Sequence, residues 1–244
     1  MSRRIPFAWR ECHYLVRIYF FNLVEYYEPF TSAFDPLIGK FRQWHFPQLR
    51  ASYRIDYKVK ASWKLIFLNY SECYHYPVIN PNLAKLSSYR SGENDLFSGA
   101  FLGEFMKLNQ SGTSLTKSGN KCGLVLGELS GEDLNRVYDY SVFPNLLLSL
   151  FPDYVMVHRL LPQSKSETLI VCEWLFSPKS MNQKEFNPQD AVLFWDRVDR
   201  QDWQVCELMQ AGVSSGAYTP AGPSSGAESL LAQFDREFLR VMGH

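Results

Sequence analysis

The sequence predicts an α+β fold, and three features of its pattern lead to that class. An alternating strand is followed at once by a helix, a block of short apolar runs separated by turn residues comes later, and amphipathic helices close the chain. Strands grouped in a block, with helices kept apart from them, are typical of an antiparallel sheet with helices packed against it. With 244 residues, the chain is long enough to bury one sizeable core.

The first 47 residues carry the weakest pattern. The run from Tyr14 to Leu23 is rich in aromatic and β-branched residues, which predicts a strand. The stretch from Glu25 to Pro47 is polar and interrupted by prolines, which predicts an irregular connector. We therefore expect residues 1–47 to lead into a compact domain that occupies residues 48–244.

Regular structure is predicted from Ala51 to Ser62, where aromatic and branched side chains alternate with charged ones as in a half-buried strand. Apolar residues then recur at spacings of three and four from Trp63, which predicts a helix that ends at Pro77. The stretch from Ser87 to Gly131 is rich in Gly, Ser and Asn and predicts a long loop. Within that loop, Leu96 to Met106 could line a pocket or be solvated.

The second half of the chain predicts an antiparallel meander followed by two helices. Prolines and a polar segment separate four short apolar or alternating runs, and these predict strands over Val137–Phe143, Asn145–Phe151, Tyr154–Pro162 and Thr168–Ser177. A helix is predicted from Pro188 to Gly212, with Asn187 as its N-cap and the glycine as its stop. After a linker rich in Ser, Gly and Pro, Ala227 to Met242 predicts an amphipathic helix.

One face of the helix predicted after Trp63 carries both a carboxylate and an imidazole. Leu65, Asn69, Glu72 and His75 lie three or four residues apart, so they share a face that also has apolar neighbours. A charged group on a covered face needs a partner, because an isolated buried charge is costly. A metal ion is one such partner.

A second carboxylate stands on the apolar face of the helix after Pro188. Asp202 falls on the stripe formed by Ala191, Trp195, Val198, Val205 and Met209, whereas Asp196 and Asp199 turn away from that stripe and are weaker candidates. Asp202 could be a metal ligand. It could also be a surface or helix-pairing acid, or one paired with Arg197 or Arg200.

Two segments resemble a known family. The run N-Y-S-E-C-Y-H-Y-P-V-x-x-P-x-L, which contains Asn69, Glu72 and His75, resembles the iron-binding segment of Rieske non-haem iron oxygenase α subunits, the aromatic-ring-hydroxylating dioxygenases and related monooxygenases. The run D-A-V-x-F-W-D-x-V-x-R-Q-D-W-x-V-C-E resembles the family segment that supplies the iron carboxylate, and Asp202 occupies that place. The resemblance extends from about Phe20 to Gly243. It implies that residues 1–47 are a remnant of, or a connector to, a missing Rieske domain and that residues 48–244 are the catalytic domain.

The resemblance implies a C-terminal catalytic domain with a helix-grip (START-like) fold, in which an antiparallel sheet wraps around a long helix. Such a domain holds a mononuclear Fe(2+) with two histidines and a carboxylate, the facial triad of non-haem iron oxygenases. His75 and Asp202 match two ligands, and Asn80 stands where the second histidine belongs. Glu72 and Asn69 match the residues that carry electrons from a neighbouring subunit's Rieske cluster.

The resemblance also implies partners and limits. An active domain would use O2, a small organic substrate, a reductase or ferredoxin and a Rieske-bearing chain, and relatives assemble as homotrimers. This chain has one Cys-x-His pair, at Cys73, and nowhere the Cys-x2-His pair that completes a Rieske [2Fe–2S] site, so we expect no cluster within it. With an asparagine in place of a ligand and no cluster, we expect impaired O2-dependent hydroxylation.

Composition narrows the remaining choices. The 25 basic and 25 acidic residues give no net charge, so we expect neither nucleic acid nor membrane as a partner. Five scattered cysteines predict reduced thiols and a cytoplasmic location. The 16% aromatic content suits a large apolar cavity or an aromatic core. A non-catalytic module that binds a hydrophobic ligand, or a pseudo-enzyme subunit of the same fold, is therefore the alternative to an oxygenase.

Several other side chains are weaker candidates. His158 could reach the vacant ligand position, although a structural strand histidine is the more common role of such a residue. Arg90, Glu93 and Arg159 could meet a polar substrate such as a quaternary amine, or form surface pairs.

Overall fold

The computed structural model describes residues 12–15, 18–21, 29–95, 100–219 and 229–243. Its centre is a seven-stranded antiparallel sheet with the strand order β3-β9-β8-β7-β6-β5-β4. These strands are β3 (Arg50–Val59), β4 (Glu93–Asp95), β5 (Phe101–Lys107), β6 (Arg136–Val142), β7 (Leu146–Leu150), β8 (Val155–Ser164) and β9 (Glu167–Phe176). The predicted α+β class is confirmed, since helices cover this antiparallel sheet.

Helices flank the sheet on both sides. In chain order they are α1 (Phe30–Phe41), α2 (Trp63–Tyr70), α3 (Tyr76–Ile79), α4 (Pro81–Leu86), α5 (Pro178–Met181), α6 (Gln189–Val213) and α7 (Ser229–Met242). The long helix α6 packs against α2 and β3. No helix within the described ranges is both long enough and apolar enough to cross a bilayer.

The four strands predicted in the second half of the chain are all present and begin and end within two residues of their predicted bounds. They pair in sequence as an antiparallel meander. Successive side chains in a strand point to opposite faces, and here both faces are covered. On the face toward α2 and α6, the meander places several buried residues with polar or thiol side chains, among them Asp139, Ser149, His158 and Cys172.

Each face of the sheet has its own core. The core on the α2 and α6 side includes Phe67, Met156, Trp174, Trp195 and Phe234. The core on the opposite side is formed by α1, the segment that follows it, and the other set of strand residues, and it includes Phe41, Trp44, Tyr140, Leu148 and Val157.

The prediction of an irregular connector before residue 48 is wrong for residues 29–47. That range forms α1 and two short 3₁₀ helices, Arg42–Trp44 and Phe46–Gln48, which pack on the sheet. The indole Nε1 of Trp44 donates a 3.2 Å hydrogen bond to the carbonyl of Phe151, which fixes the segment to the end of β7. Proline inside α1 misled the prediction, since Pro36 stands within the helix.

The single strand predicted over Tyr14–Leu23 is wrong in its bounds. Two short antiparallel strands, β1 (Cys12–Leu15) and β2 (Ile18–Phe21), pair there instead. The remaining residues of that predicted strand and residues 25–28 of the predicted connector lie outside the described ranges.

The long loop predicted from Ser87 to Gly131 is also wrong in part, because β4 and β5 lie within it. Phe101, Leu102 and Met106 on β5 are buried in the two cores, so the described part of this segment is not a solvated loop. Gly103 stands opposite Tyr140 of β6 and leaves room for its ring. Residues 96–99 of the proposed pocket segment lie outside the described ranges.

The C-terminal helices differ from the prediction at their ends. Asn187 accepts a 3.2 Å hydrogen bond through its side chain from the amide of Gln189, so it helps to cap α6 as expected, although Pro188 precedes the first helical residue. The helix continues one residue beyond Gly212. The described part of the last predicted helix begins at Ser229.

Candidate metal centre

The segment that carries Glu72 and His75 is a turn, not a helix. The prediction of a helix up to Pro77 is wrong, because α2 ends at Tyr70. The hydroxyl of Ser71 donates a 2.8 Å hydrogen bond to the carbonyl of Phe67, and a non-helical turn follows. Pro77 lies inside the next short helix, α3, where proline is tolerated in the first turn.

This turn brings the carboxylate and the imidazole together. His75 Nδ1 lies 2.8 Å from Glu72 Oε2, and both side chains are mostly buried. A carboxylate at Nδ1 holds the proton on that nitrogen and leaves Nε2 free to bind a metal ion.

The free nitrogen of His75 faces the second predicted acid. His75 Nε2 lies 3.6 Å from Asp202 Oδ1 on α6, although 127 positions separate the two residues in the chain. The distance is too long for a hydrogen bond. Both atoms are buried and without a hydrogen-bond partner among the described residues.

Asn80 lies at the junction of α3 and α4, next to α6. Its side chain is fully covered, and its Nδ2 donates a 3.4 Å hydrogen bond to Gln201 on α6. Its Oδ1 is buried and lacks a hydrogen-bond partner among the described residues. His75, Asn80 and Asp202 therefore each have one buried polar atom without a hydrogen-bond partner among the described residues, an arrangement that normally costs stability unless another group satisfies it.

The electrostatics of the pair follow from burial and mutual attraction. Burial alone would lower the pKa of His75, but the nearby carboxylates of Asp202 and Glu72 raise it to about 9. Burial raises the pKa of Asp202, while His75 and the amide of Asn80 act in the opposite direction. Without a metal ion, His75 therefore carries a proton at neutral pH.

Asn69 lies on the last turn of α2, is buried, and lines a small cavity. His75 and Asp202 line the same cavity, and His158 and Asp199 do so as well. The volume of this cavity is about 20 Å³. Such a space holds about one water molecule, whereas pockets for organic ligands measure about 300–1,000 Å³.

The sequence did not reveal a group of hydrogen-bonded residues that also lines the cavity. The Tyr70 hydroxyl donates a 3.0 Å hydrogen bond to Asp139 and lies 2.6 Å from the hydroxyl of Ser149. Glu104 stands opposite Asp139 in the sheet and is buried, and burial together with Asp139 and Glu72 raises its pKa to about 8. The sequence feature that indicates this group is an acidic residue among mostly apolar neighbours, at Glu104 in one strand and at Asp139 in the next.

A second pair of buried polar residues, His158 and Asp199, differs from the sequence prediction. The prediction that Asp199 turns away from the core is wrong, because its carboxylate is buried and lies 3.3 Å from His158 Nε2. His158 is held in β8 beside Cys172 of β9, as expected for a strand histidine. Asp196, the other acid judged weaker, accepts hydrogen bonds from Tyr57 and Arg200 near the surface.

The apolar stripe predicted for α6 also differs from the observed one. Val205 is only partly buried and Met209 is exposed, while Phe194, Trp203 and Cys206 are buried instead.

The charged residues considered for a polar substrate lie away from the cavity. Arg159 forms a 2.7 Å ion pair with Glu173 on the neighbouring strand, and Arg90 is exposed beside the Tyr89 ring. Glu93 is exposed on the edge strand β4. None of the three lines the cavity between His75 and His158, so the surface-pair interpretation fits Arg159 best.

Comparison with known proteins gives a family match over most of the chain. Residues 46–244 match the family described as ring hydroxylating alpha subunit (catalytic domain). The glycine betaine monooxygenase oxygenase subunit of Chromohalobacter salexigens is 26% identical over 195 residues, which cover 68% of this chain and 43% of that protein. Putrescine 2-hydroxylase of Bordetella bronchiseptica is 24% identical over 190 residues, which cover 75% of this chain and 44% of that protein. The chain thus spans less than half the length of these two relatives.

Solved structures share the fold at low sequence identity. A quaternary ammonium Rieske monooxygenase studied for carnitine oxidation by gut microbiota superposes with a TM-score of 0.72 at 14% identity, over 95% of this chain and 60% of that one. Naphthalene 1,2-dioxygenase from Rhodococcus sp. gives a TM-score of 0.66 at 13% identity, over 95% and 66% of the two chains.

Proposed function

Because the chain belongs to the ring-hydroxylating α-subunit family through its catalytic domain, we propose that it is the iron-binding part of an O2-dependent oxygenase whose iron site is weakened by one ligand substitution. Catalytic domains of this family bind a mononuclear iron. His75 Nε2, Asp202 Oδ1 and Asn80 Oδ1 would hold Fe(2+) here. The observation that carries this assignment is that all three atoms are buried without hydrogen-bond partners among the described residues.

The donor set fits iron(II) but binds it less firmly than the usual two histidines and one carboxylate. An amide oxygen is neutral and a poorer donor to iron than an imidazole nitrogen. The amide nitrogen of Asn80 donates a hydrogen bond to Gln201, and this bond fixes the orientation of the Asn80 carbonyl oxygen. We therefore expect a measurable but weak iron site.

Iron would supply the activation of O2, and the chain's own residues prepare the site for it. Glu72 holds the Nδ1 proton of His75 through the 2.8 Å contact, so Nε2 is presented to the ion. The same contact makes Glu72 the natural entry point for electrons from another chain, with Asn69 beside it, in keeping with the resemblance described above. Buried carboxyl groups at Glu104 and Asp139 can hold or release protons near Glu72.

We infer that a small organic cation is the substrate class. The cavity is lined by the acids Asp139, Asp199 and Asp202 and by the indoles of Trp195 and Trp203. Carboxylates and aromatic faces together favour cationic ligands. The names of the relatives, which refer to glycine betaine, putrescine and quaternary ammonium compounds, agree with that chemistry. Turnover would also require a reductase or ferredoxin, a Rieske-bearing chain, and the trimeric assembly implied by the resemblance. We propose a cytoplasmic location for the protein.

A non-catalytic subunit is the second candidate, and the small cavity favours it. A space of about 20 Å³ does not admit an organic molecule unless the surrounding side chains move. The alternative considered from the aromatic content, a module that binds an apolar ligand, would need a larger cavity than this one.

Metal content measured on four proteins, one of them a control variant, tests the iron proposal. The unsubstituted chain and the variants Asn80→His and Asp202→Asn are loaded anaerobically with Fe(2+), desalted, and assayed by elemental analysis. We expect partial loading of the unsubstituted protein, higher loading with Asn80→His, and loss with Asp202→Asn. Asn82→His is the matched control, because Asn82 is exposed two residues from Asn80 and a histidine there should not raise loading.

The outcomes separate the two candidates. Equal iron in all four proteins would refute the ligand assignment. Asn80→His could bind iron while neither it nor the unsubstituted protein consumes O2 in the presence of an amine, a reductase and a Rieske-bearing partner. That result would support the non-catalytic role and leave the ligand assignment in place.

A further inference from the structure

Three potential metal ligands meet on the sheet behind the candidate iron site. His158 and Cys172 are direct register partners on the antiparallel strands β8 and β9, so their side chains emerge on the same face. Asp199 reaches them from α6. One ligand atom from each residue lies within 4.8 Å of the other two, and all three residues are buried.

We propose that His158, Cys172 and Asp199 form a second metal site, which takes a divalent ion of the zinc class. Imidazole, thiolate and carboxylate are the ligands that zinc uses in proteins, commonly three from the protein with water in the fourth position. A thiolate also distinguishes this site from the proposed iron site, whose ligands are nitrogen and oxygen only. As the ion binds, the Cys172 thiol loses its proton to solvent and its sulfur bonds to the metal.

The neighbours of His158 support this assignment. Its Nε2 lies 3.3 Å from Asp199 Oδ2. An ion pair with Asp199 would account for this contact, but it would not explain why a thiol shares the cluster. A metal ion bound by all three residues accounts for the convergence.

The adjacent cavity offers a fourth ligand. His158 and Asp199 both line the space of about 20 Å³, which has room for about one water molecule. Cys172 is not among the residues that line this space, and it belongs to the core on the α2 and α6 side of the sheet. A bound ion would therefore have three protein ligands and water as the fourth.

The second site uses no residue of the proposed iron site. Asp199 and Asp202 lie three positions apart on α6, and each faces a different histidine. Occupation of one site therefore does not require the ligands of the other, and the two proposals can fail separately.

Cobalt(II) is the probe, because a thiolate bound to it gives an intense near-ultraviolet charge-transfer band that nitrogen and oxygen ligands do not give. The metal-free protein is titrated with CoCl₂ under anaerobic conditions. We expect a saturable charge-transfer band in the unsubstituted protein, and its loss in Cys172→Ser. Subsequent addition of ZnCl₂ should displace cobalt and remove the band.

Matched variants identify the ligands. Cys206→Ser removes another buried thiol that lies beneath Leu65, and Asp202→Asn removes the proposed iron carboxylate; both should keep the band. Asp199→Asn provides a second test if Cys172→Ser does not fold, as judged by circular dichroism, and it should weaken cobalt binding at least tenfold. Absence of the band in the folded, unsubstituted protein, or an unchanged band in folded Cys172→Ser, would overturn the second site whatever the result of the iron measurements.

Discussion

Replacement of Glu104 by glutamine should remove much of the pH dependence of folding stability between about pH 4.5 and 8. Glu104 is buried on β5 opposite Asp139, and its Oε1 has no hydrogen-bond partner among the described residues. Burial, Asp139 and Glu72 raise its pKa from 4.5 to about 8. In this range the folded protein holds a proton that the unfolded chain has released, so the free energy of unfolding falls as pH rises.

The size of the effect follows from the two pKa values. Each tenfold change in proton affinity is worth about 1.4 kcal/mol, so a carboxyl group that titrates at 4.5 when unfolded and at about 8 when folded contributes at most about 5 kcal/mol. Relaxation around the charged group and coupling to Asp139 reduce this, and we expect on the order of 2–4 kcal/mol. Glutamine has the same shape and no charge, so the variant should gain this amount relative to the parent at pH 8.

Urea unfolding followed by tryptophan fluorescence at a series of pH values measures the effect. Glu93→Gln is the matched control, because Glu93 is exposed on the neighbouring strand β4 and should leave the slope unchanged. His75, whose pKa is raised to about 9, contributes in the same direction from about pH 6.5 to 9, so a smaller slope should persist in Glu104→Gln. Parallel stability curves for the parent and Glu104→Gln would show that the carboxyl group is not held neutral by the fold.

Three further substitutions test the packing that positions the site. Gly103→Ala should lower the free energy of unfolding by about 1–3 kcal/mol, because the new Cβ would lie 2.1 Å from the Tyr140 ring. Thermal unfolding measures this, and an unchanged melting temperature would contradict the close packing of β5 on β6. Phe41→Ala should cost about 3–5 kcal/mol in urea unfolding, since the ring is buried under the sheet, and a cost near zero would mean that α1 does not pack there. Asp153→Asn should lower the free energy of unfolding in urea by about 1–3 kcal/mol. The Asp153 carboxylate accepts hydrogen bonds from the Ser114 hydroxyl at 2.5 Å and from the Cys122 amide at 2.8 Å. A stability equal to that of the parent would mean that these bonds are energetically unimportant.

The meander was predictable from the sequence because each strand is a short apolar run bounded by a proline or a polar turn. Side-chain alternation also placed His158 on a strand correctly. The approach of His75 to Asp202, 3.6 Å apart in the structure, was expected only from the family resemblance, since helix periodicity alone does not relate two residues so distant in the chain. Their assignment as metal ligands remains a prediction.

Other features depend on contacts that a linear pattern does not contain. The helix after Trp63 ends at Tyr70 although its apolar spacing continues, because the Ser71 side chain bonds back to the helix and the chain then turns. Asp199 was misjudged because a face about 100° wide admits residues three apart, so Asp199 and Asp202 can both point inward from α6. A proline within α1 and the glycines around β5 likewise hid a helix and a strand, since packing on the sheet outweighs their local preferences.

The cavity between the two clusters decides whether this fold can process an organic substrate, and its walls are not equally able to move. Trp195 is fixed, because its Nε1 donates a 2.7 Å hydrogen bond to the Tyr154 hydroxyl, which itself donates to the carbonyl of Leu115. Met156 lines the same cavity from β8, and its side chain is unbranched and flexible. Space for a substrate would therefore have to come from rotation of Met156 and not from Trp195. Because the rigid indole stays beside the acids of α6, a cavity enlarged in this way would keep the aromatic and acidic surfaces that favour a cation.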